Sequence, residues 1–371
     1  MKKVISLLLA AMLVLSMAAC GSTSANENTD AEAAVPAGTE AADAADEETT
    51  DAVESEDAEE PAEVTVTGMD AAGEPIEVTV PYKPERVVVL DLANLDILDN
   101  LGLGDRVVGV PTITLPYLQS YNENGLPIVG SVKTPDLEAV MACEPDLILM
   151  GGRMAEYIDD LGEIAPVLRL TTVSDDGLVE AIRGNAKTIG AIFGETEQVD
   201  ALLAQYDARI AALNEFAEGR TCVLGMSTSG SFNLLGNDGR CSLIVNEIGF
   251  DNIGADAASV GGERSGSGRG GSESAESSEG STPTHGNEVS FEAIVALNPE
   301  YIFVMDRDSA IGTSGAQLAA EIMENELIMK TDAYQNGNLV ILENPGIWYL
   351  AEGGITSLGI MLDDLENALL K

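Results

Sequence analysis

Arg153 and Arg307 occupy equivalent places in two copies of one sequence template. In the first copy Leu137-Glu138-Ala139-Val140 leads through Glu144-Pro145-Asp146-Leu147-Ile148-Leu149-Met150 to Arg153. In the second, Phe291-Glu292-Ala293-Ile294 leads through Asn298-Pro299-Glu300-Tyr301-Ile302-Phe303-Val304 to Arg307. The offset is 154 residues at every corresponding position (307 − 153, 299 − 145, 292 − 138). A guanidinium is permanently charged and presents a planar fork of donors, which suits an anion with paired oxygens. Ligands of open α/β sheets lie outside the carboxyl ends of the strands. One arginine at the end of each apolar, β-rich run therefore points to a cleft that takes an anion from both sides. Glu138 and Glu292, at the two helix starts, complement the helix macrodipole.

Other residues able to do chemistry are few. The single histidine, His285, lies in the polar stretch Thr284-His285-Gly286-Asn287-Glu288. Tyr349 adjoins the only tryptophan, Trp348, after a Pro345-Gly346 pair that reads as a turn. Arg240 sits in Gly236-Asn237-Asp238-Gly239-Arg240, a turn before a helix. There is no G-x-S-x-G, no P-loop and no H-E-x-x-H. A histidine-based triad would have to use His285, and no nucleophile motif accompanies it. Cys143, Cys222 and Cys241 have no CxxC spacing and read as small core residues with at most one disulfide. The formal charge of −45 excludes nucleic acid as a partner. It also repels anions at long range, so an anion site must depend on local arginines.

The elements that must position these residues follow from periodicity and composition. Lys2 and Lys3 precede an apolar run from Val4 to Met17, so residues 1–19 read as an export signal. Cys20, directly after Ala18-Ala19, resembles the lipidated cysteine of a bacterial lipobox. Residues 20–62 read as a disordered acidic tether, with fifteen acidic residues and no Lys or Arg from Gly21 to Glu63. Residues 63–175 read as an N-terminal α/β lobe that begins with a hairpin and alternates strands with short helices. Residues 176–218 read as connecting helices, with Val199, Leu202, Leu203, Tyr206, Ile210 and Leu213 on one stripe. Residues 219–371 form a C-terminal α/β lobe with a Gly/Ser-rich insertion at 261–280. The fold class is α/β, with two Rossmann-like lobes joined by a long rigid helix.

Several of these stretches together resemble the substrate-binding lipoproteins of bacterial ABC importers for iron–siderophore complexes. The general family is marked by Lys83-Pro84-Glu85-Arg86-Val87-Val88-Val89 and by Leu101-Gly102-Leu103-Gly104-Asp105-Arg106-Val107-Val108-Gly109-Val110. Its branch for catecholate-type siderophores, such as enterobactin fragments and petrobactin, is marked by Gly151-Gly152-Arg153, Thr284-His285-Gly286, Met305-Asp306-Arg307 and Trp348-Tyr349-Leu350. The resemblance implies a helical-backbone fold of the periplasmic-binding-protein type. It implies that Arg153, Arg240 and Arg307 cradle an anionic iron complex, and that His285 and Tyr349 bind its iron directly. It further implies that Glu138 and Glu292 dock onto ABC permease subunits. Lipid on Cys20 would hold the protein at the outer face of the cytoplasmic membrane, its only membrane attachment. The cargo would be Fe(III) as a siderophore complex, with no intrinsic cofactor and no enzymatic activity. The alternatives are haem, a corrinoid or a hydroxamate siderophore on the same fold, or a surface α/β enzyme.

Overall fold

The computed structural model of the chain describes residues 60–172, 176–259 and 287–370. The export signal, Cys20, nearly all of the acidic tether, the 261–280 insertion and His285 lie outside the described residues. The expected hairpin is present: β1 (Glu63–Met69) pairs antiparallel with β2 (Pro75–Pro81). β3 (Val87–Val89), β4 (Val107–Gly109), β5 (Leu147–Met150) and β6 (Val167–Arg169) then form an all-parallel sheet in the order β4-β3-β5-β6.

A second sheet holds β7 (Thr221–Thr228), β8 (Ser231–Leu234), β9 (Asp251–Asn252), β10 (Asn287–Glu288), β11 (Tyr301–Asp306) and β12 (Leu339–Ile341). Its order is β10-β8-β7-β11-β12, with β9 alongside β7. Every residue of β5 and β11 is buried, as expected of parallel strands covered on both faces. The antiparallel β8 was not anticipated. Ser229 and Gly230, at φ 53° and 80°, turn the chain back on β7. Two successive positive φ values give the twist that a two-residue hairpin needs.

The sequence repeat is also a structural one. Helices Leu137–Ala142 and Phe291–Leu297 end in left-handed residues at matching places, Glu144 (φ 47°) and Asn298 (φ 45°). A proline follows each, as is common just past a helix end. The acidic residue after that proline then secures the neighbouring strand. Asp146 accepts from the N–H groups of Glu85 (2.8 Å) and Arg86 (3.0 Å), and Glu300 accepts from that of Thr221 (2.9 Å).

The connection consists of two helices, Leu178–Phe193 and Glu197–Ala217. The stripe read from the sequence faces inward, with Val199, Leu203, Tyr206 and Leu213 buried and Leu202 and Ile210 partly buried against the core. The closing helix, Ile355–Leu369, packs on the second of these and on helix Leu92–Asn100. Arg209 forks onto Glu366 of the closing helix at 2.7 and 2.8 Å. One apolar cluster includes Val87 and Leu95 from the first half, Ile189 and Leu203 from the connection, and Leu224 and Phe303 from the second sheet. Pro345-Gly346, read as a turn, instead opens a helix, Pro345–Leu350. Proline is tolerated there because the first helical N–H has no intrahelical partner.

Asp96 ties the closing helix to the first half. Its fully buried carboxylate accepts from the N–H groups of Thr356 and Ser357 (both 2.9 Å) and from the Tyr117 hydroxyl (2.7 Å). Gly354 permits the approach, since a Cβ there would lie 2.3 Å from Asp96 Oδ2. Asp96→Ala would strip an acceptor from two helix N–H groups and a phenol. It should lower stability by about 3 kcal/mol in urea denaturation, and a loss under about 1 kcal/mol would contradict the assigned role.

Candidate functional site

Arg153 and Arg307 are placed by the repeat. β5 ends at Met150, and Gly151-Gly152 carries the chain directly to Arg153. Gly151 is required by packing: a Cβ would lie 2.2 Å from Asp91 Oδ2. That Asp91 carboxylate is itself engaged, capping helix Leu92–Asn100 through Ala93 and Asn94 N–H at 3.0 Å each. β11 ends at Asp306, which caps the short helix beginning at Arg307. Asp306 Oδ1 accepts from Ser309 N–H at 2.9 Å and Oδ2 from Ala319 N–H at 2.7 Å. Each arginine thus leaves the carboxyl end of a buried central strand, where the sequence repeat predicts it.

Arg240 joins them from the turn before helix Leu243–Asn246, and all three surround Tyr349. Their guanidinium carbons lie 4.9 Å (Arg153), 4.2 Å (Arg240) and 5.6 Å (Arg307) from the centre of its ring. Such distances give a cation–π attraction from the electron-rich ring face. The Tyr349 carbonyl accepts from Arg153 Nη2 and from Arg240 Nη1 (2.7 Å for the latter). Arg307 Nε donates to the Tyr349 hydroxyl at 3.1 Å, and its Nη1 to Thr228 Oγ1 at 3.2 Å. Tyr349 is only 1% exposed, so its ring is a floor on which the arginines rest. Among the described residues, Arg240 Nε is buried with no hydrogen-bond partner. A buried charged donor left unmatched is costly, and an acceptor entering the cavity would relieve it.

The cavity beside Arg153 and Arg240 measures about 540 Å³, and Arg307 reaches Tyr349 without lining it. The first half contributes Asp91, Asn94, Arg153, Arg169 and Thr171, and the second half Asp238, Arg240, Tyr349 and Glu352. A separate crevice of about 460 Å³ lies between Leu115-Pro116-Tyr117 and residues 309–312 and 343–347. Helix Pro345–Leu350 borders both, with Ile347 on the crevice and Tyr349 on the arginine-lined cavity.

Ionisation follows from the crowding. Burial works to raise the Tyr349 phenol. The Arg307 hydrogen bond and the charges of Arg240, Arg307 and Arg153 outweigh it and hold the phenol below its ordinary value. Burial, then the like charge of Arg240, makes Arg153 less basic than usual. Burial pushes Asp91 and Glu352 above the ordinary carboxylate range, although Arg153 and Arg240 pull the other way.

Arg153, Arg240, Arg307 and Tyr349 are therefore brought together, whereas His285 lies outside the described residues. Glu138 and Glu292 are exposed, one on the first turn of each repeat helix. Cys143, Cys222 and Cys241 are buried, as read from the sequence, and all three are free thiols. Sequence reasoning missed Asp91, Glu352 and Arg169, which complete the charged lining. Asp91 had a signal as the helix-capping acid of Leu90-Asp91-Leu92, but nothing in Ala351-Glu352-Gly353 marks an inward carboxylate.

A family model described as periplasmic binding protein matches residues 87–345. The petrobactin-binding protein YclQ of Bacillus subtilis (strain 168) is 32% identical over 299 residues, covering 79% of this chain and 84% of the relative. Its crystal structure superposes with a TM-score of 0.69 at 30% identity, over 83% of this chain and 99% of the other. The periplasmic catecholate-siderophore binding protein VctP of Vibrio cholerae gives 0.67 at 30% identity, over 82% and 100%.

Asp91, Asp96 and Glu352 are all shifted upward, by burial above all. The folded chain therefore holds these protons more tightly than the unfolded chain. Their stabilising contribution is complete below the ordinary carboxyl range and is lost as pH rises through the raised values. The melting temperature should rise as pH falls toward the ordinary carboxyl range, with a shallower rise in Asp96→Asn. A flat or inverted profile would contradict these ionisation states.

Proposed function

The chain belongs to the periplasmic binding protein family, and from that premise we propose that it captures a ferric catecholate-type siderophore and delivers it to an ABC permease. The family and the similar proteins bind substrates and are not enzymes, so this protein works by holding and releasing its cargo. The observation that carries the reading is the convergence of Arg153, Arg240 and Arg307 on Tyr349. Ferric catecholates are anions whose charge is spread over planar oxygens, which guanidinium forks match in sign and geometry. The names of YclQ and VctP, petrobactin-binding and catecholate-siderophore binding, support the same cargo class.

The chemistry of the two candidate iron ligands fits that cargo. Fe(III) is a hard acid that favours phenolate oxygen, and imidazole also suits iron. The arginines around Tyr349 hold its phenol below its ordinary value and so favour the phenolate form that would bind iron. When a siderophore leaves two iron positions open, Tyr349 and His285 would fill them. Arg307 would then exchange its hydrogen bond to the phenol for one to a siderophore oxygen. Glu138 and Glu292, exposed on equivalent helices, are the proposed contacts with the permease. Lipid on Cys20 would keep the protein outside the cytoplasmic membrane, with the acidic segment as its tether.

Trp348 is buried beside Tyr349 and donates its indole N–H to Asp364 at 2.8 Å, so it is a built-in reporter. A ferric bis-catecholate should quench its emission at low concentration, whereas haem should not and a neutral ferric trihydroxamate should do so only at far higher concentration. Replacing Arg153, Arg240 or Arg307 singly by Ala should weaken that binding by about ten- to hundredfold, the loss of roughly 1.5–3 kcal/mol of charge-assisted hydrogen bonding. Equal quenching by all three complexes, or unaltered affinity in the arginine variants, would refute the reading.

A further inference from the structure

The arginine cradle has an acid built into it. Glu352 lines the cavity, and its carboxylate lies 3.7 Å from Arg240 Nη1. Its side chain is 17% exposed and that of Arg240 is 12% exposed, so the pair sits largely out of water. Burying a carboxylate is expensive unless it is matched by charge and hydrogen bonds. Here the matching groups are the Arg240 and Arg153 guanidiniums and the Cys241 N–H. The other groups of the same lining that bear charge or titrate are Asp91, Asp238, Arg169 and Tyr349. Asp91 differs from Glu352 in that its Oδ1 is spent on the helix cap, accepting from both Ala93 and Asn94 N–H. Glu352 has no such duty to a helix, and its distance to Arg240 is longer than a hydrogen bond.

We propose that Glu352 is the resident counter-anion of this cradle, released from Arg240 by an incoming anionic chelate, and that it sets how much negative charge the cleft retains. The inference rests on the reading of the site as an anion trap. Without a cargo, Glu352 offsets part of the repulsion among three guanidiniums that share one tyrosine. With a cargo, its charge opposes that of the siderophore at short range, in a cavity where screening is weak. Loosely anionic complexes then gain too little from the arginines to be held, while strongly anionic ones outcompete the carboxylate. Glu352 is thus a specificity residue that acts through Arg240.

The test compares a ferric bis-catecholate, which is anionic, with a neutral ferric trihydroxamate, both titrated by Trp348 quenching. Glu352→Gln keeps the shape and an acceptor for the Cys241 N–H but removes the charge. It should bind the anionic complex roughly tenfold more tightly, with no comparable gain for the neutral one. Glu352→Asp, which keeps the charge, should retain the wild-type ratio between the two complexes. Glu352→Met is a second neutral variant that carries the comparison should the amide disturb folding. A carboxylate that merely propped up the Arg240–Cys241 turn would, when replaced, leave the ratio unchanged or weaken both complexes, and either result overturns the proposal. If the wild-type protein binds neither complex, the anion-trap reading itself is wrong, which is a separate and recognisable outcome.

Discussion

Three guanidiniums gathered around a single buried tyrosine set the conditions that the rest of this molecule must meet. At an effective dielectric of about 20, like charges about 6 Å apart repel by ~3 kcal/mol per pair, so such a cluster does not assemble unaided. Here it is held by the carbonyl, hydroxyl and ring of Tyr349, by Thr228, and by the carboxylates of Asp91 and Glu352 nearby. A ligand that supplies negative charge replaces these partial compensations with a better one. In the proposed reading, that stored repulsion is what would favour an anionic cargo in a chain whose formal charge is −45.

Keeping the cluster poised requires that its supports not drift apart. Arg153 comes from the end of one sheet, Arg307 from the end of the other, and Tyr349 from a helix between two crevices. The two sheets share an apolar core with the connecting and closing helices, and Asp96 and Arg209 bond the closing helix to both of its neighbours. Closing around cargo by a wide hinge would tear that core. The architecture favours side-chain exchange and small adjustments within a gap that is already formed.

Much of this was legible in the residues. The 154-residue repeat located both strand-end arginines, because a helix, a left-handed cap, a proline and an all-apolar strand form a local pattern with one physical solution. The connecting helices appeared through their 3.6-residue stripe. The antiparallel β8 escaped because its signal is the two-residue Ser229-Gly230 turn, easily passed over beside a parallel-strand pattern. Pro345-Gly346 read as a turn although proline also opens helices. Arg240 was placed by family resemblance, and Glu352 escaped altogether. Whether a turn residue or an isolated acid faces a cavity is decided by tertiary packing, which leaves no periodic trace in the chain.

The most direct measurement is the position of iron in crystals grown with a ferric bis-catecholate, located by anomalous scattering at the iron edge. The account predicts one peak within coordination distance of the Tyr349 hydroxyl, with siderophore oxygens on the guanidiniums of Arg153, Arg240 and Arg307. A peak in the crevice beside Tyr117 and Ile347, or on the outer surface away from these arginines, would contradict it.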